Sequence, residues 1–535
     1  MKYPISEYNL SSYFLRWVSK YSNLFTSILI SGPTLAFTTF IIYLRTVAPG
    51  VWEFDSAELA TGVYSLGIVH PPGYPLYILI GKVFISLIPI NNVAYELNIL
   101  SAIFASATVL LLYKIVYSIT HHKIVSWSAS AFFSFTNYFW QMALVTEVYT
   151  LHTFFLALCV LLIIAHLRSF SYWKLLLFSF VYGLSLCNHT SGILFAFGYL
   201  WLLSLNFKLN AKNVAFLVPM ILIFILGLLP YLYLPIRVLS NPPLNYAREY
   251  SGINLTNIRG VWWMISGQAY RIYAFSYSWS EIPLEIYQFF LFIWRNFLGA
   301  GVIIGLVGIY NLWRKNWRKT IGWFLLFGSN MIFFINYRVM DKDTMFLPAF
   351  LIWVVFMAEG LKFIISYSRR IIGKQPLISD RHSSITFFLL LLPFFPLLFN
   401  WKWVDMSSKY GIGSFARHIF ENSSPNSLVI GEWSSSVLLE YYQIVEGKRP
   451  DLIIYNRART EAANFYENWA QGIPYQENRN RILDSEIEKI CSEILTRKVY
   501  MVEFDPAFEM QFNFTSIGDF FELEQKSNKC PNSET

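Results

Sequence analysis

Long apolar runs separated by short polar segments recur along most of this chain. Runs such as residues 97–118 and 148–167 are long enough to cross a bilayer, which takes about 20 residues of helix. Only 14% of the 535 residues are charged and the mean hydropathy is +0.44, which excludes an ordinary soluble protein. The chain is therefore predicted to be a multi-pass, α-helical membrane protein.

Basic residues set the expected topology. Arg16 and Lys20 favour a cytoplasmic N-terminus, and no small-residue cleavage site follows, so the first apolar helix is expected to stay as an anchor. If residues 74–90 lie flat or re-enter the membrane instead of crossing it, the later basic loops all face the cytoplasm. The net charge of +8 therefore reflects membrane topology and does not indicate a nucleic-acid-binding surface. These residues are His121, His122, Lys123, Arg168, Lys174, Lys208, Lys212, Arg314, Lys315, Arg318, Lys319, Arg369, Arg370 and Lys374.

This topology predicts about eleven transmembrane helices and a C-terminus outside the cytoplasm. The expected spans are 27–47, 97–118, 124–142, 148–167, 172–188, 190–206, 213–235, 297–313, 320–337, 344–366 and 385–400.

The stretch from Trp52 to Tyr77 holds the most distinctive polar residues. Asp55 and Glu58 follow the first apolar run, and a rigid His-Pro-Pro-Gly break begins at His70. The spacing of the two acids is that of a D-x-x-E capping box, with Asp55 as N-cap of a helix lying in the membrane interface over residues 56–67. A catalytic role for the acids is the alternative, and the two roles are compatible.

The predicted topology places further polar residues on the same outer side as Asp55. Taken singly, each has an ordinary explanation, such as a helix end meeting water, an arginine reaching lipid headgroups or a solvated turn. Their shared location favours a polar site at the outer membrane surface. The candidate substrate-binding residues are His70, Glu147, Tyr149, Asn188, His189, Arg237, Tyr270, Arg338, Asp341 and Asp343.

The character of the chain changes after Trp403. Residues 428–456 read as strand, helix and strand, and a further strand is expected at KVYMVEF, which together predict a small extracytoplasmic α/β domain over residues 402–535. The membrane module is then 1–401. The C-terminal part shows no phosphate loop or nucleophile elbow, so a recognition or structural role is expected for it. Its last dozen or so residues are expected to be disordered. No role is assigned to the four scattered cysteines, Cys159, Cys187, Cys491 and Cys530.

Several motifs resemble one family of multi-pass proteins. FDSAELATGVYSLGIVHPPGYPLY is similar to its D-S-G-E…LG-V-x-HPPG-x-PL signature, although Ala57 replaces the usual Gly. TEVYTLH, GLSLCNHT, LLPYLYLPI and YYQIVEGKRPDLIIY extend the resemblance from about residue 30 to 456. This family, long of unknown function, includes the vertebrate endoplasmic-reticulum O-mannosyltransferase of plexin-type receptor domains.

The resemblance implies a GT-C glycosyltransferase, with interfacial helices and the catalytic acid in the first outer loop. Such an enzyme transfers a sugar, here expected to be mannose, from a polyprenyl-phosphate donor to an acceptor hydroxyl, with protein Ser/Thr expected. Asp55 is the candidate base, and Glu58 would hold Asp55 or the acceptor. His70, His189, Arg237 and Arg338 are candidates for the donor phosphate. No cofactor is required, although acidic residues are available for a divalent cation: Asp55, Glu58, Glu147 and Asp341.

Other functions remain open from the sequence. A GT-C transferase could modify a lipid or a polysaccharide instead of a protein. A polytopic transporter would also have many spans, but it should show internal repeats and acids in the middle of spans. A noncatalytic scaffold would leave the Asp55 to Gly73 pattern without a role beyond capping and a turn. A bacterial inner membrane is the expected location, and the partners are the lipid-linked donor, the acceptor and the bilayer, without nucleic acid.

Overall fold

The computed structural model describes residues 28–208, 210–249, 253–339, 341–372, 387–459 and 474–526. The expectations for Arg16, Lys20, Lys374, Cys530 and the chain's last residues lie outside this part, as do the side chains of Arg369 and Arg370.

Helices dominate the chain up to residue 404, because a membrane interior requires backbone hydrogen bonds to be satisfied within each segment. They are α1 (Gly32–Thr46), α2 (Asp55–Ser65), α3 (Pro75–Leu87), α4 (Val93–Thr120), α5 (Lys123–Ser134), α6 (Asn137–Met142), α7 (Tyr149–Arg168), α8 (Tyr172–Asn188), α9 (Ala196–Ser204), α10 (Ala211–Ala215), α11 (Leu217–Gly227), α12 (Tyr233–Val238), α13 (Tyr246–Glu249), α14 (Ile258–Ile265), α15 (Ile282–Asn296), α16 (Ala300–Ile335), α17 (Leu347–Ile372) and α18 (Phe394–Val404). Short 3-10 helices cover Thr190–Phe195, Leu229–Leu232, Gln268–Tyr273 and Thr344–Phe346.

The multi-pass prediction is confirmed, and the described residues of the eleven predicted spans are mainly helical. By length and composition, four described helices could cross a membrane alone, and two bent pairs raise this number to six. The other predicted spans are shorter or interrupted. The span 124–142 breaks between α5 and α6, for example, and 213–235 bends by 41° after Gly227. Helix α3 has 13 residues, or about 20 Å, and is shorter than the roughly 30 Å hydrocarbon core. This length agrees with the prediction that 74–90 does not cross.

Helix α16 contains two predicted spans joined at Asn316. The φ of −161° and ψ of 86° at Asn316 are not helical. Gly308, eight residues before the break, and Phe324, eight residues after it, both pack against Phe356 of α17. The two halves therefore return along the same helix, as the prediction of spans 297–313 and 320–337 requires.

A five-stranded sheet forms the last part of the fold, in the order β2-β1-β3-β5-β4. Strands β1 (Leu428–Gly431), β2 (Ile453–Asn456) and β3 (Val499–Met501) are parallel, as the strand-helix-strand pattern predicts. Strands β4 (Phe512–Ile517) and β5 (Phe520–Gln525) add an antiparallel hairpin that the sequence pattern did not reveal. Helices α19 (Gly411–Asn422), α20 (Trp433–Ile444) and α21 (Tyr475–Ile494) accompany the sheet. Cys491 in α21 is disulfide-bonded, which corrects the expectation that no cysteine has a role.

Candidate active site

Helix α2 begins at Asp55 itself. Its N-cap is Phe54, whose side chain cannot cap, and no side-chain hydrogen bond caps this end of the helix in the described part of the chain. The capping-box prediction is therefore wrong, because Glu58 is engaged elsewhere. One Glu58 carboxylate oxygen accepts a hydrogen bond from the His70 backbone N–H at 3.1 Å, and the other contacts His70 Nδ1. The helix is buried from Ser56 to Val63 and packs against α20.

The His-Pro-Pro-Gly turn brings His70 back to the start of α2. His70 Nε2 lies 3.1 Å from the Tyr74 hydroxyl and 3.5 Å from Asp55 Oδ2. Gly73 has a φ of +85° and donates its N–H to the His70 carbonyl, so this position requires glycine. Burial alone would lower the pKa of His70, but the charges of Asp55 and Glu58 raise it to about 9. The ring is therefore an imidazolium at neutral pH, between two carboxylates.

Asp55 receives a hydrogen bond from the C-terminal part of the chain. The indole N–H of Trp433 donates to Asp55 Oδ1 at 3.0 Å, and the Phe54 N–H donates to Ser434 Oγ at 3.2 Å. About 26% of the Asp55 side chain is exposed, whereas Glu58 is fully buried. Burial raises the pKa of Asp55, while the His70 charge and the Trp433 hydrogen bond oppose this rise. Asp55 is thus an oriented carboxylate that a reactant can reach.

Arg459 provides a second contact from the C-terminal part. Its guanidinium lies 3.9 Å from Glu58 Oε1, forms two hydrogen bonds with Glu440 of α20, and stacks 5.3 Å from the Trp433 ring centre. Arg457, two residues earlier, pairs with Glu432, Glu486 and Asp505. These charge-assisted bonds fix the segments that carry Trp433 and Arg459.

Two more predicted acids face the same cluster. Burial and the Asp55 charge raise the pKa of Glu147 well above its ordinary value. Glu147 Oε2 is buried and has no hydrogen-bond partner among the described residues. Asp341 has its pKa raised to about 6 by desolvation within the cleft and by the charge of Asp55, and it interacts with the Tyr149 hydroxyl.

Aromatic and polar side chains from α7 and α8 complete this face. His189 lies 5.8 Å from the rings of both Tyr74 and Tyr149, and Asn188 donates to the Val148 carbonyl. The Tyr270 ring, edge-on to His70 at 6.2 Å, closes the opposite side. The predicted residues His70, Glu147, Tyr149, Asn188, His189, Tyr270 and Asp341 therefore surround Asp55 and Glu58.

Three predicted residues have other partners. Arg237 donates to the carbonyls of Ser65 and Leu66 at 3.0 and 2.6 Å, so it caps the far end of α2, about 15 Å from Asp55. Arg338 pairs with Glu281 and stacks on Tyr277. Asp343 accepts from the Tyr138 hydroxyl and lines a separate cavity of about 190 Å³. The structure does not bring these three side chains to the Asp55 cluster.

A divalent cation would need several ligands close together. In the described part of the chain, no group of three or more His, Cys, Asp or Glu side chains is arranged to hold a metal ion. His70 lies between Asp55 and Glu58 and contacts both carboxylates.

Trp433 and Arg459 are the residues that sequence analysis missed. They follow β1 and β2, whose carboxyl ends meet at one edge because the strands are parallel. Functional residues often follow the carboxyl ends of parallel strands, and this rule could have identified the segments after Gly431 and Asn456 as candidates. Nothing in the sequence indicates that this edge faces the first outer loop.

Comparison with known proteins supports the resemblance seen in the sequence. Residues 55–213 match the family model of the protein O-mannosyl-transferase TMEM260 N-terminal domain. The chain is 25% identical over 443 residues to the mouse protein O-mannosyl-transferase TMEM260, covering 78% of this chain and 61% of the relative. It is also 25% identical over 461 residues to the Dictyostelium discoideum protein of that name, covering 77% and 55%. The chain thus spans about three fifths of the length of these relatives.

Solved structures show the fold class. ArnT from Cupriavidus metallidurans bound to undecaprenyl phosphate is similar with a TM-score of 0.55 and 9% identity, over 96% of this chain and all of ArnT. The apo ArnT structure has a TM-score of 0.52 and 12% identity, over 95% and 98%. The fold is therefore similar to that of ArnT, and residues 55–213, which begin at Asp55 itself, match the family model of the protein O-mannosyl-transferase TMEM260 N-terminal domain.

Proposed function

We propose that this chain is a GT-C glycosyltransferase that moves a sugar from a polyprenyl-phosphate donor to an acceptor hydroxyl. The observation that carries the proposal is Asp55, a reachable carboxylate held by Trp433 and His70 at the first residue of the matched domain. The names of the relatives favour mannose as the sugar and a protein as the acceptor. The undecaprenyl phosphate named for ArnT favours a lipid-linked donor.

In the proposed reaction, Asp55 accepts the proton of the acceptor hydroxyl as the hydroxyl oxygen bonds to the sugar C1. The bond from C1 to the phosphate oxygen breaks, and the lipid phosphate leaves with its electron pair. A carboxylate with a raised pKa is the stronger base. The His70 imidazolium beside Asp55 favours the charged form of this carboxylate, so that Asp55 is able to accept a proton. Glu147 and Asp341 are proposed to hold sugar or acceptor hydroxyl groups.

The orientation and the division of the chain are part of the proposal. We assign residues 1–401 to the membrane module and 402–535 to an extracytoplasmic α/β domain, in a bacterial inner membrane with a cytoplasmic N-terminus. The disulfide at Cys491 supports an oxidising compartment for the C-terminal part. The contacts of Trp433 and Arg459 support a direct role of this part in shaping the site, beyond the recognition or structural role expected from its sequence.

Sugar transfer in nanodiscs tests the proposal. The assay supplies radiolabelled polyprenyl-phosphate mannose and a crude extract of extracytoplasmic molecules as acceptors. After the reaction, the labelled products are separated into protein, lipid and polysaccharide fractions. Wild type should label the protein fraction, and Asp55→Asn should lower the rate by about 10²- to 10⁴-fold, the usual contribution of a general base. Asp519→Asn, an exposed change in the β4-β5 turn, is the matched control and should retain activity.

Three outcomes would contradict parts of this proposal. Equal rates for wild type and Asp55→Asn would exclude Asp55 as the base. Label confined to lipid or polysaccharide would replace protein as the acceptor. Absence of transfer from any polyprenyl-phosphate sugar by the folded wild type would exclude the transferase.

A further inference from the structure

A second cavity lies at the opposite end of the helical bundle from Asp55. Its volume is about 500 Å³, within the range of ligand pockets. Helix α7 connects the two regions: Tyr149 at its first residue faces the Asp55 cluster, and Arg168 at its last residue lines the cavity. Twenty residues of helix span about 30 Å, so the cavity and the candidate active site are separated by roughly the thickness of a bilayer core.

Positive charge dominates the wall of this cavity. Arg168, Lys315, Lys319 and Lys362 line it, together with one acid, Glu359. Lys315 is neutralised by Glu359 at 2.7 Å. Among the described residues, no carboxylate lies within 4 Å of the Lys319 or Lys362 ammonium group, and none pairs with Arg168. The cavity therefore keeps an excess of positive charge that an anion would satisfy.

The rest of the wall is apolar. Ile164, Leu312 and Trp323 line the cavity between the basic residues. Lys362 belongs to α17, one of the helices long and apolar enough to cross a membrane, where an unpaired cation is costly without a partner. A ligand that matches both the basic and the apolar parts of the wall carries a phosphate group and a hydrocarbon chain next to it.

We propose that this cavity binds an anionic phospholipid, with its phosphate among Arg168, Lys319 and Lys362 and its acyl chain against Ile164 and Trp323. Basic pockets between transmembrane helices commonly recognise such headgroups. Three of the basic loops predicted for the cytoplasmic side contribute to the wall through His121, Arg168, Lys315 and Lys319, so the lipid comes from the leaflet opposite the candidate active site. This proposal does not depend on the transferase activity.

Native mass spectrometry of the full chain released from nanodiscs tests the proposal. The discs contain phosphatidylcholine with a minor fraction of phosphatidylglycerol. Wild type should retain phosphatidylglycerol in preference, and the double variant Lys319→Gln/Lys362→Gln should weaken this retention by about 30-fold, since two basic contacts are lost. The double variant Lys208→Gln/Lys212→Gln removes equal charge at residues that do not line the cavity, and it should retain the lipid. Equal retention by both double variants would overturn the proposal.

Two further experiments use the wild-type protein, so their results do not depend on whether the variants fold. Photoactivatable phosphatidylglycerol should crosslink wild type at 118–121, 160–168, 312–323 or 359–362, which hold most of the lining residues, and crosslinks confined to segments that do not line the cavity would overturn the site. Inorganic phosphate added to wild type should not displace the lipid, because it lacks the apolar contacts. Complete displacement by phosphate would instead identify a site for the free anion and overturn the lipid assignment.

Discussion

The indole nitrogen of Trp433 donates a 3.0 Å hydrogen bond to Oδ1 of Asp55, although 378 residues separate the two in the chain. The other carboxylate oxygen of Asp55 faces His70 at 3.5 Å. The two oxygens thus have different neighbours, one from the C-terminal part and one from the segment between α2 and α3. This arrangement fixes the plane of the carboxylate and couples its geometry to the docking of α20 on α2.

Replacing Trp433 by Phe should raise the pKa of Asp55, because the indole N–H stabilises the charged carboxylate. A hydrogen bond to a charged group contributes about 1.5–3 kcal/mol, so the midpoint of the acidic limb of kcat against pH should move upward by about one to two pH units. Phe keeps an aromatic ring against His70, which limits the structural change. The measurement is the pH profile of sugar transfer in nanodiscs.

Trp279→Phe is the matched control, because Trp279 is 90% exposed. Its profile should coincide with that of wild type. A Trp433→Phe enzyme with a lower rate but an unmoved acidic limb would show that Trp433 acts through packing, and not through its N–H.

The sequence predicts that Asp55 lies near His70, but it does not predict the contact between Asp55 and Trp433. Asp55, Glu58 and His70 lie within 16 residues of one another, next to a helix break at the end of an apolar run, so local pattern and topology are sufficient to group them. Trp433 lies in a segment without any local signal, and its contact depends on how the sheet docks on α2. For Arg237, the sequence predicts the position at a helix end, but it does not predict which two backbone carbonyls the side chain caps.

His70 should make stability depend on pH in the neutral to alkaline range. Its pKa is about 9 in the folded chain and 6.5 as an ordinary value. A pKa raised by folding contributes stability that is complete below pH 6.5 and lost as the pH rises through 9. The difference corresponds to on the order of 3 kcal/mol. In detergent, the difference in melting temperature between wild type and His70→Gln should therefore decrease as the pH is raised from 6 to 10.

His418→Gln serves as the control, because His418 lies in α19, where its ring contacts the Ile517 carbonyl and the Asn422 side chain. The gap between wild type and this variant should not narrow over the same interval. A constant gap between wild type and His70→Gln would contradict a raised pKa for His70.

Arg237→Ala should destabilise the fold without weakening donor binding. Arg237 caps α2 through the carbonyls of Ser65 and Leu66, and hydrogen bonds from a charged group contribute about 2 kcal/mol. The melting temperature should fall, while the KM for the lipid-linked donor stays near that of wild type. Arg259→Ala, an exposed change, should alter neither value. A large rise in the donor KM with unchanged stability would restore Arg237 as a phosphate ligand.

Glu147→Gln should separate stability from activity. Glu147 Oε2 is buried without a hydrogen-bond partner in the described part of the chain, and burial raises its pKa, so the charged carboxylate is unfavourable in the resting fold. A neutral amide removes that cost, and the melting temperature should stay equal or rise. If Glu147 binds a substrate hydroxyl, kcat/KM should fall by about tenfold, because the amide does not reproduce the hydrogen bonding of the carboxyl group. Glu96→Gln is the opposite case: Glu96 accepts the Ile90 N–H at a buried position, so this change should lower the melting temperature. A Glu147→Gln chain that melts earlier and transfers sugar normally would show that Glu147 supports the fold and does not bind substrate.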